Sequence, residues 1–289
     1  MDAPRYCYRH PDRETGLSCS ECGRPICYEC MTPAPVGIRC PEHSGKPQGM
    51  QKVTRAAERA VTGVGGRRVN AVTLGLIGAN VLVALIELAG GSRSGFLNST
   101  IFEKGSLFAT GFVSASGKQL GVAHGEWWRL FTAMFLHASF FHLLVNMYSL
   151  YFVGSIMESL IGRWRFLLLY LASGLAGSAG ALLLSPLKPT VGASGAIFGV
   201  LGGLFVLERR GNIATGGQIA GLILINLVIT FAFSSSISVG GHIGGLIGGM
   251  VLMVALLQFR RSALYSVAAV AGVVVISVVV AYAKVRTYQ

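Results

Sequence analysis

Residues 192–203 read GASGAIFGVLGG, and residues 240–249 read GGHIGGLIGG. Glycines fall four apart in both: Gly195, Gly199 and Gly203 in the first, Gly241, Gly245 and Gly249 in the second. On a helix that spacing leaves a flat stripe, so two such helices pack with their backbones close together. Ser194 stands near the start of the first stretch and His242 near the start of the second. Packed stripe to stripe, the two helices would bring a hydroxyl beside an imidazole. A lone serine among glycines reads more plainly as one more small packing residue. A histidine at the matching place on the matching helix turns that reading toward catalysis.

Working outward, hydrophobic residues make up 52% of the 289 residues and charged residues only 12%. Mean hydropathy is +0.60. A soluble domain carries about 25% charged residues. The deficit, spread over seven apolar stretches, points to an all-α polytopic membrane protein and away from a soluble helical bundle. The stretches fall at about 69–90, 132–155, 165–185, 193–208, 213–233, 241–258 and 263–283. A span needs about 20 apolar residues, so the fourth and sixth are short and must run steeply. No signal peptide is expected, because the first apolar run begins only near Val69.

The formal charge of +12 does not imply nucleic-acid binding, since no basic run is interleaved with aromatics. The excess sits beside the apolar stretches. Arg67 and Arg68, Arg163 and Arg165, Arg209 and Arg210, and Arg260 and Arg261 occupy alternate connections, whereas those at 186–192 and 234–240 hold only Lys188. Arginine marks the cytoplasmic side. The N-terminus is therefore expected inside and the C-terminus, with Lys284 and Arg286, outside; the expected location is the plasma membrane. The connection at 91–131 faces outward, and its Trp127, Trp128, Phe96, Phe102 and Phe108 suit the interface. Asn98 begins a glycosylation triplet that matters only in a eukaryotic secretory context.

Polar residues inside a membrane are costly and read as functional. With this topology His142 and Asn146 in the outer half of the second stretch share a depth with Ser194 and His242. His142, Asn146, Gly154 and Glu158 follow spacings of four and eight. Glu158, near the cytoplasmic end, reads as structural, bonded to loop backbone or to an arginine. His137 stays unassigned. A serine hydroxyl needs an adjacent base, which His242 supplies. No acidic residue lies in the outer half of the second, fourth or sixth stretch to complete a triad. Asn146, His142 and the Ser194 backbone N–H are the candidate oxyanion donors, and Gly192 lets backbone approach the substrate. Ala196 stands where the hydrolase elbow G-x-S-x-G needs glycine, which argues against an α/β-hydrolase.

These residues resemble the rhomboid family of intramembrane serine proteases over roughly residues 70–260. The resemblance is carried by Gly192-Ala193-Ser194-Gly195, by His242-Ile243-Gly244-Gly245, and by His142 and Asn146 on one stretch. Trp128-Arg129, Glu158 and the run Tyr170-Leu171-Ala172-Ser173-Gly174 add to it. It implies six core helices plus a seventh at the C-terminus and a Ser194–His242 dyad that needs no cofactor. It also implies a lipid bilayer setting, a lateral gate near the fifth span, and substrates that are transmembrane segments of other proteins. The competing reading is a rhomboid-like protein without protease activity that binds membrane clients.

All six cysteines lie between Cys7 and Cys40. They form the pairs Cys7-x2-His10, Cys19-x2-Cys22, Cys27-x2-Cys30 and Cys40-x2-His43. Eight such ligands suit two tetrahedral zinc ions. The expected arrangement is interleaved, first pair with third and second with fourth. A disulfide framework is the alternative, but thiols stay reduced on the cytoplasmic side. The segment resembles a B-box-type zinc finger, from which Cys40-x2-His43 departs at the usual closing histidines. The expected organisation is a zinc domain at 1–45 that meets a cytoplasmic protein partner, a linker at 46–68 with a short helix over Val53–Ala60, and a membrane domain at 69–285.

Overall fold

The computed structural model describes residues 4–34, 37–44, 70–89, 96, 99–114, 117–213, 215–259 and 262–289. The expected linker at 46–68, the arginine pairs at 67–68 and 260–261, and Asn98 lie outside the described residues. The chain divides into two compact units, Met1–Arg55 and Ala56–Gln289.

In the first unit a two-stranded antiparallel ladder, β1 (Thr32–Pro33) and β2 (Ile38–Arg39), pairs Thr32 with Arg39. Its buried cluster consists of Ile26 with Cys7, Cys19, Cys27, Cys30 and Cys40, and Tyr8 and Ile38 pack against it. Among the described residues, Ile26 is the one apolar side chain apart from the cysteines that is fully enclosed.

The second unit is helical: α1 (Ala71–Ala89), α2 (Phe140–Ile161), α3 (Arg163–Leu184), α4 (Ser194–Arg209), α5 (Gln218–Ala232), α6 (Val239–Gln258) and α7 (Ala263–Val285). The first three, α6 and the C-terminal helix are each long and apolar enough to cross a membrane. At 16 and 15 residues, α4 and α5 are shorter than the roughly 20 that span one.

Two apolar stretches begin later than their composition implies. The second runs from Phe140 to Ile161 rather than 132–155. Short turns at Arg129–Thr132 and Ala133–Phe135 precede it, and Leu136 leaves the helix with extended backbone. Ser139, also extended, restarts it as N-cap, its Oγ accepting the His142 N–H at 3.1 Å. Hydropathy cannot see such a break, because the flanking residues are equally apolar. His137 therefore precedes the helix. The fifth helix begins at Gln218 because Gly216 and Gly217 hold left-handed backbone.

α2 carries a π turn at Leu150–Gly154. Its early residues His142 and Asn146 turn toward Gly192. Its later ones meet α1: a Cβ on Gly154 would lie 3.2 Å from Thr73 Cγ2, and Glu158 accepts hydrogen bonds from Val72 N (3.2 Å), Thr73 N (2.8 Å) and Thr73 Oγ1 (2.8 Å). A buried carboxylate thereby satisfies N–H groups that the first turn of a helix leaves open. Arg163 Nε stands 4.0 Å away.

α6 packs against α3 and α4 through the glycine stripes. A Cβ on Gly245 would collide with the Gly195 carbonyl oxygen, and one on Gly249 would lie 2.5 Å from Gly199 Cα. A Cβ on Gly180 of α3 would lie 3.1 Å from Gly244 Cα. Backbone on both sides of these contacts leaves no side chain to move aside.

Candidate active site

The described residues between α1 and α2 form a structured platform at one end of the helices. It holds a short helix, Thr100–Gly105, and an antiparallel ladder, β3 (Phe112–Val113) and β4 (Gln119–Leu120). Arg129, 1% exposed, ties it together. Its Nε and Nη2 meet Glu126 Oε2 at 2.8 and 2.7 Å, and its Nη1 donates to the carbonyls of Glu103 and Ser106 at 2.7 Å. Its guanidinium lies 4.4 Å from the Phe108 ring centre. Trp128 Nε1 donates to the Lys104 carbonyl at 3.0 Å. Leu107 and Thr190 exchange backbone hydrogen bonds of 2.9 and 2.8 Å, and Gly192 N donates to the Ala133 carbonyl at 2.9 Å. The segment before α4 is thus pinned to the platform. Lys188 Nζ joins it to the segment before α6 by donating to the carbonyls of Ser234 and Ser235.

Ser194 opens α4, and His242 sits in the first turn of α6, whose N-cap Ser238 accepts from Gly241 N at 3.1 Å. The close helix contact places His242 Nε2 2.8 Å from Ser194 Oγ. That is hydrogen-bonding distance for a nucleophile and its base. Phe198, one turn beyond Ser194, stacks on the imidazole at 4.1 Å and 17°. Thr230 Oγ1 of α5 lies 2.7 Å from His242 Nδ1. His242 is buried, whereas Ser194 is half-buried.

Gly192, two residues before Ser194, has φ +127°, a conformation open chiefly to glycine. The space a side chain would take there is where the α2 groups converge. A Cβ on Gly192 would stand 2.9 Å from His142 Nε2 and 3.5 Å from Asn146 Nδ2. Ala138 N–H faces His142 Nδ1 at 3.5 Å, so the ring hydrogen belongs on Nε2, directed at this spot. Asn146 Nδ2 is buried with no hydrogen-bond partner. Ser194 N–H lies in the first turn of its helix, where backbone donors have no intrahelical acceptor. Hydroxyl, base and free donors of this kind are the parts of an acyl-transfer site.

Trp128, Arg129 and Glu158 do not join this group: the first two hold the platform, and Glu158 lies toward the start of α1. His137 packs edge-on to His142 at 5.1 Å, and among the described residues neither ring nitrogen has a partner within hydrogen-bonding geometry. The sequence reading missed Phe198 and Thr230. An aromatic one turn after the serine and a hydroxyl within an apolar helix were the signals available.

In the first unit, Cys7, His10, Cys27 and Cys30 form one cluster, and Cys19, Cys22, Cys40 and His43 form a second. Within each, the ligand atoms lie within 4.8 Å of one another. His10 Nδ1 stands 3.8, 3.3 and 3.4 Å from the sulfurs of Cys7, Cys27 and Cys30, and Cys22 Sγ stands 3.8 Å from Cys40 Sγ. Ligands about 2.0–2.3 Å from a tetrahedral ion sit about 3.3–3.8 Å apart, so both clusters fit a metal ion. Burial pushes the Cys7 and Cys19 thiols up. Backbone N–H donors, from Cys27, Arg9 and His10 for Cys7 and from Cys40, Cys22 and Glu21 for Cys19, outweigh it and hold both at about 6. That favours the thiolates metals require.

Fold and site together define a polytopic helical integral membrane protein with a serine–histidine pair at one end of its packed helices. The family model of the rhomboid domain matches residues 124–259. The chain is 45% identical over 126 residues to the rhomboid protease GluP of Bacillus subtilis, covering 42% of this chain and 24% of GluP. It is 39% identical over 134 residues to the rhomboid-family protein YdcA of the same bacterium, covering 45% of this chain and 67% of YdcA. Inactive RHOMBOID-like protein 8 of Arabidopsis thaliana is 35% identical over 109 residues, covering 37% of this chain and 31% of that protein. The chain belongs to the rhomboid family. It spans about a quarter of the length of GluP.

Proposed function

We propose that this chain is an intramembrane serine endopeptidase that cuts transmembrane segments of other membrane proteins. The observation that carries the reading is the 2.8 Å contact between Ser194 Oγ and His242 Nε2, beside donors with no partner. Ser194 Oγ attacks the scissile carbonyl carbon while His242 Nε2 takes its proton and then delivers it to the leaving amine. Water releases the acyl group by the same route, with His242 again as base. Asn146 Nδ2, His142 Nε2 and the Ser194 N–H stabilise the oxyanion, and Gly192 keeps that space open. No cofactor takes part.

In this reading α1 to α6 form the six-span core at 69–258 and α7 adds a seventh span. The N-terminus lies in the cytoplasm and the C-terminus outside, in the plasma membrane. Gln289 Nε2 donates to the Ala123 carbonyl at 2.8 Å, which supports the C-terminus and the platform sharing one side. Residues 1–45 form a B-box-like domain. Cys7, His10, Cys27 and Cys30 hold one zinc ion, and Cys19, Cys22, Cys40 and His43 hold the other. Four protein ligands leave no open position, so the ions act in folding, and the domain presents a surface to a cytoplasmic protein partner.

The test compares wild type, Ser194→Ala and His242→Ala on a fluorescent transmembrane-helix substrate in liposomes. Cleavage by wild type alone is expected. Folded protein that cuts none of several substrates would favour the client-binding function, a reading kept open by the relative named inactive.

A further inference from the structure

Thr230 is the buried residue of α5, at 1% exposure. Its neighbours Leu224, Ile225, Val228 and Phe231 are exposed. The one position this helix encloses thus bears a hydroxyl rather than an apolar group. That hydroxyl makes two contacts: Thr230 Oγ1 lies 2.7 Å from the Asn226 carbonyl and 2.7 Å from His242 Nδ1. A hydroxyl has one hydrogen to give, and a carbonyl can only accept. The Asn226 contact therefore commits the hydrogen, leaving Thr230 Oγ1 only lone pairs to offer the imidazole. His242 Nδ1 must then carry the ring hydrogen, and Nε2 presents its lone pair to Ser194 Oγ at 2.8 Å.

We propose that Thr230 is the positioning residue of the dyad: through Asn226 O it fixes the His242 tautomer in which Nε2 is the base. The inference rests on the protease reading for its consequence, but the tautomer exists without it. The chain of donors runs one way, from Ser194 Oγ–H to His242 Nε2, from His242 Nδ1–H to Thr230 Oγ1, and from Thr230 Oγ1–H to the Asn226 carbonyl. When Nε2 takes the serine proton, the imidazolium keeps an acceptor at Nδ1. In a triad a carboxylate fills that place. Here a neutral hydroxyl, polarised by a helix carbonyl, does so without burying a charge.

The experiment uses the full chain and three variants: Thr230→Val, which keeps the shape and removes the hydroxyl, Thr230→Ala, which removes both, and Thr230→Ser, which keeps the hydroxyl. Thermal unfolding selects those that fold as wild type does. The tautomer of His242 is read from its ring-nitrogen NMR shifts, and kcat and KM are measured separately. Wild type and Thr230→Ser are expected to hold hydrogen on Nδ1. Thr230→Val and Thr230→Ala are expected to lose that preference and to drop kcat about tenfold to hundredfold with KM unchanged, less than the roughly 10²–10⁴ that a placed proton acceptor contributes as a whole, because the base itself remains. Unchanged kcat in Thr230→Val, or reduced kcat with the tautomer intact, would overturn the proposal. Should wild type cleave nothing, the protease reading fails by itself. The nitrogen shifts still decide: a preference lost in Thr230→Val and kept in Thr230→Ser upholds the positioning role, and no change removes it.

Discussion

Asn146 holds a buried amide donor with nothing to bond. A group left so costs the folded state about 1–3 kcal/mol. An incoming oxyanion would relieve that cost. Asn146→Ala should therefore slow turnover by about 10²–10³, the range for losing one such donor, near 2.7–4 kcal/mol. It should leave the unfolding midpoint unchanged or slightly raised. Single-turnover kinetics beside thermal unfolding in detergent check it, and normal turnover would remove Asn146 from the site. At this scale the reading from sequence went far. Ser194, His242, His142 and Asn146 could be gathered because topology alone brings them to a similar depth, and Gly192 was read separately, as a glycine that lets backbone approach closely. Phe198 and Thr230 could not, because their roles depend on helix rotation, which composition does not report. Arg129 could be flagged but not explained. Its acceptors Glu126 Oε2, Glu103 O and Ser106 O belong to a loop whose path no periodicity encodes.

The dyad is held by the approach of α4 to α6, and that approach is a property of backbone. At Gly249 an added Cβ would lie 2.5 Å from Gly199 Cα, so relief requires the helices to part. Gly249→Ala should lower the thermal midpoint, with a cost in the about 1–3 kcal/mol range of overpacking. It should also reduce cleavage, although the residue lies about two turns from His242. Gly272→Ala in α7, where a Cβ meets nothing within 4 Å, is the control. It should be neutral or stabilising, since alanine favours a helix interior by about 1 kcal/mol. Equal midpoints for the two variants would show that the stripe does not set the helix contact. The glycine stripes were legible because their spacing is a direct record of contact. The start of α2 was not, since Ser139 interrupts a run that is apolar on both sides. The π turn at Leu150–Gly154 likewise left no mark in hydropathy.

At the scale of the whole molecule, the two units are stabilised by different means. The membrane unit packs apolar helices against one another. The unit at Met1–Arg55 encloses Ile26 and five cysteines as its buried cluster. A segment near 40 residues seldom folds on apolar burial alone, and here five of the six residues of the buried cluster are cysteines. Without metal the thiolates would repel one another. With zinc the same atoms become cross-links that substitute for a core. Purified protein should therefore carry two zinc ions per chain. A strong chelator should unfold residues 1–45, seen as new proteolytic cleavage between Cys7 and His43, while the membrane unit keeps its unfolding midpoint. Cys19→Ser should lower the metal content and expose the segment without chelator. Far less than two ions per chain, or protease resistance that survives complete metal removal, would mean that another force holds the module. If cleavage of a membrane substrate continues unchanged after chelation, the module does not support catalysis and serves the chain through a partner. If cleavage falls while the membrane unit stays folded, the metal-held module acts on the protease itself.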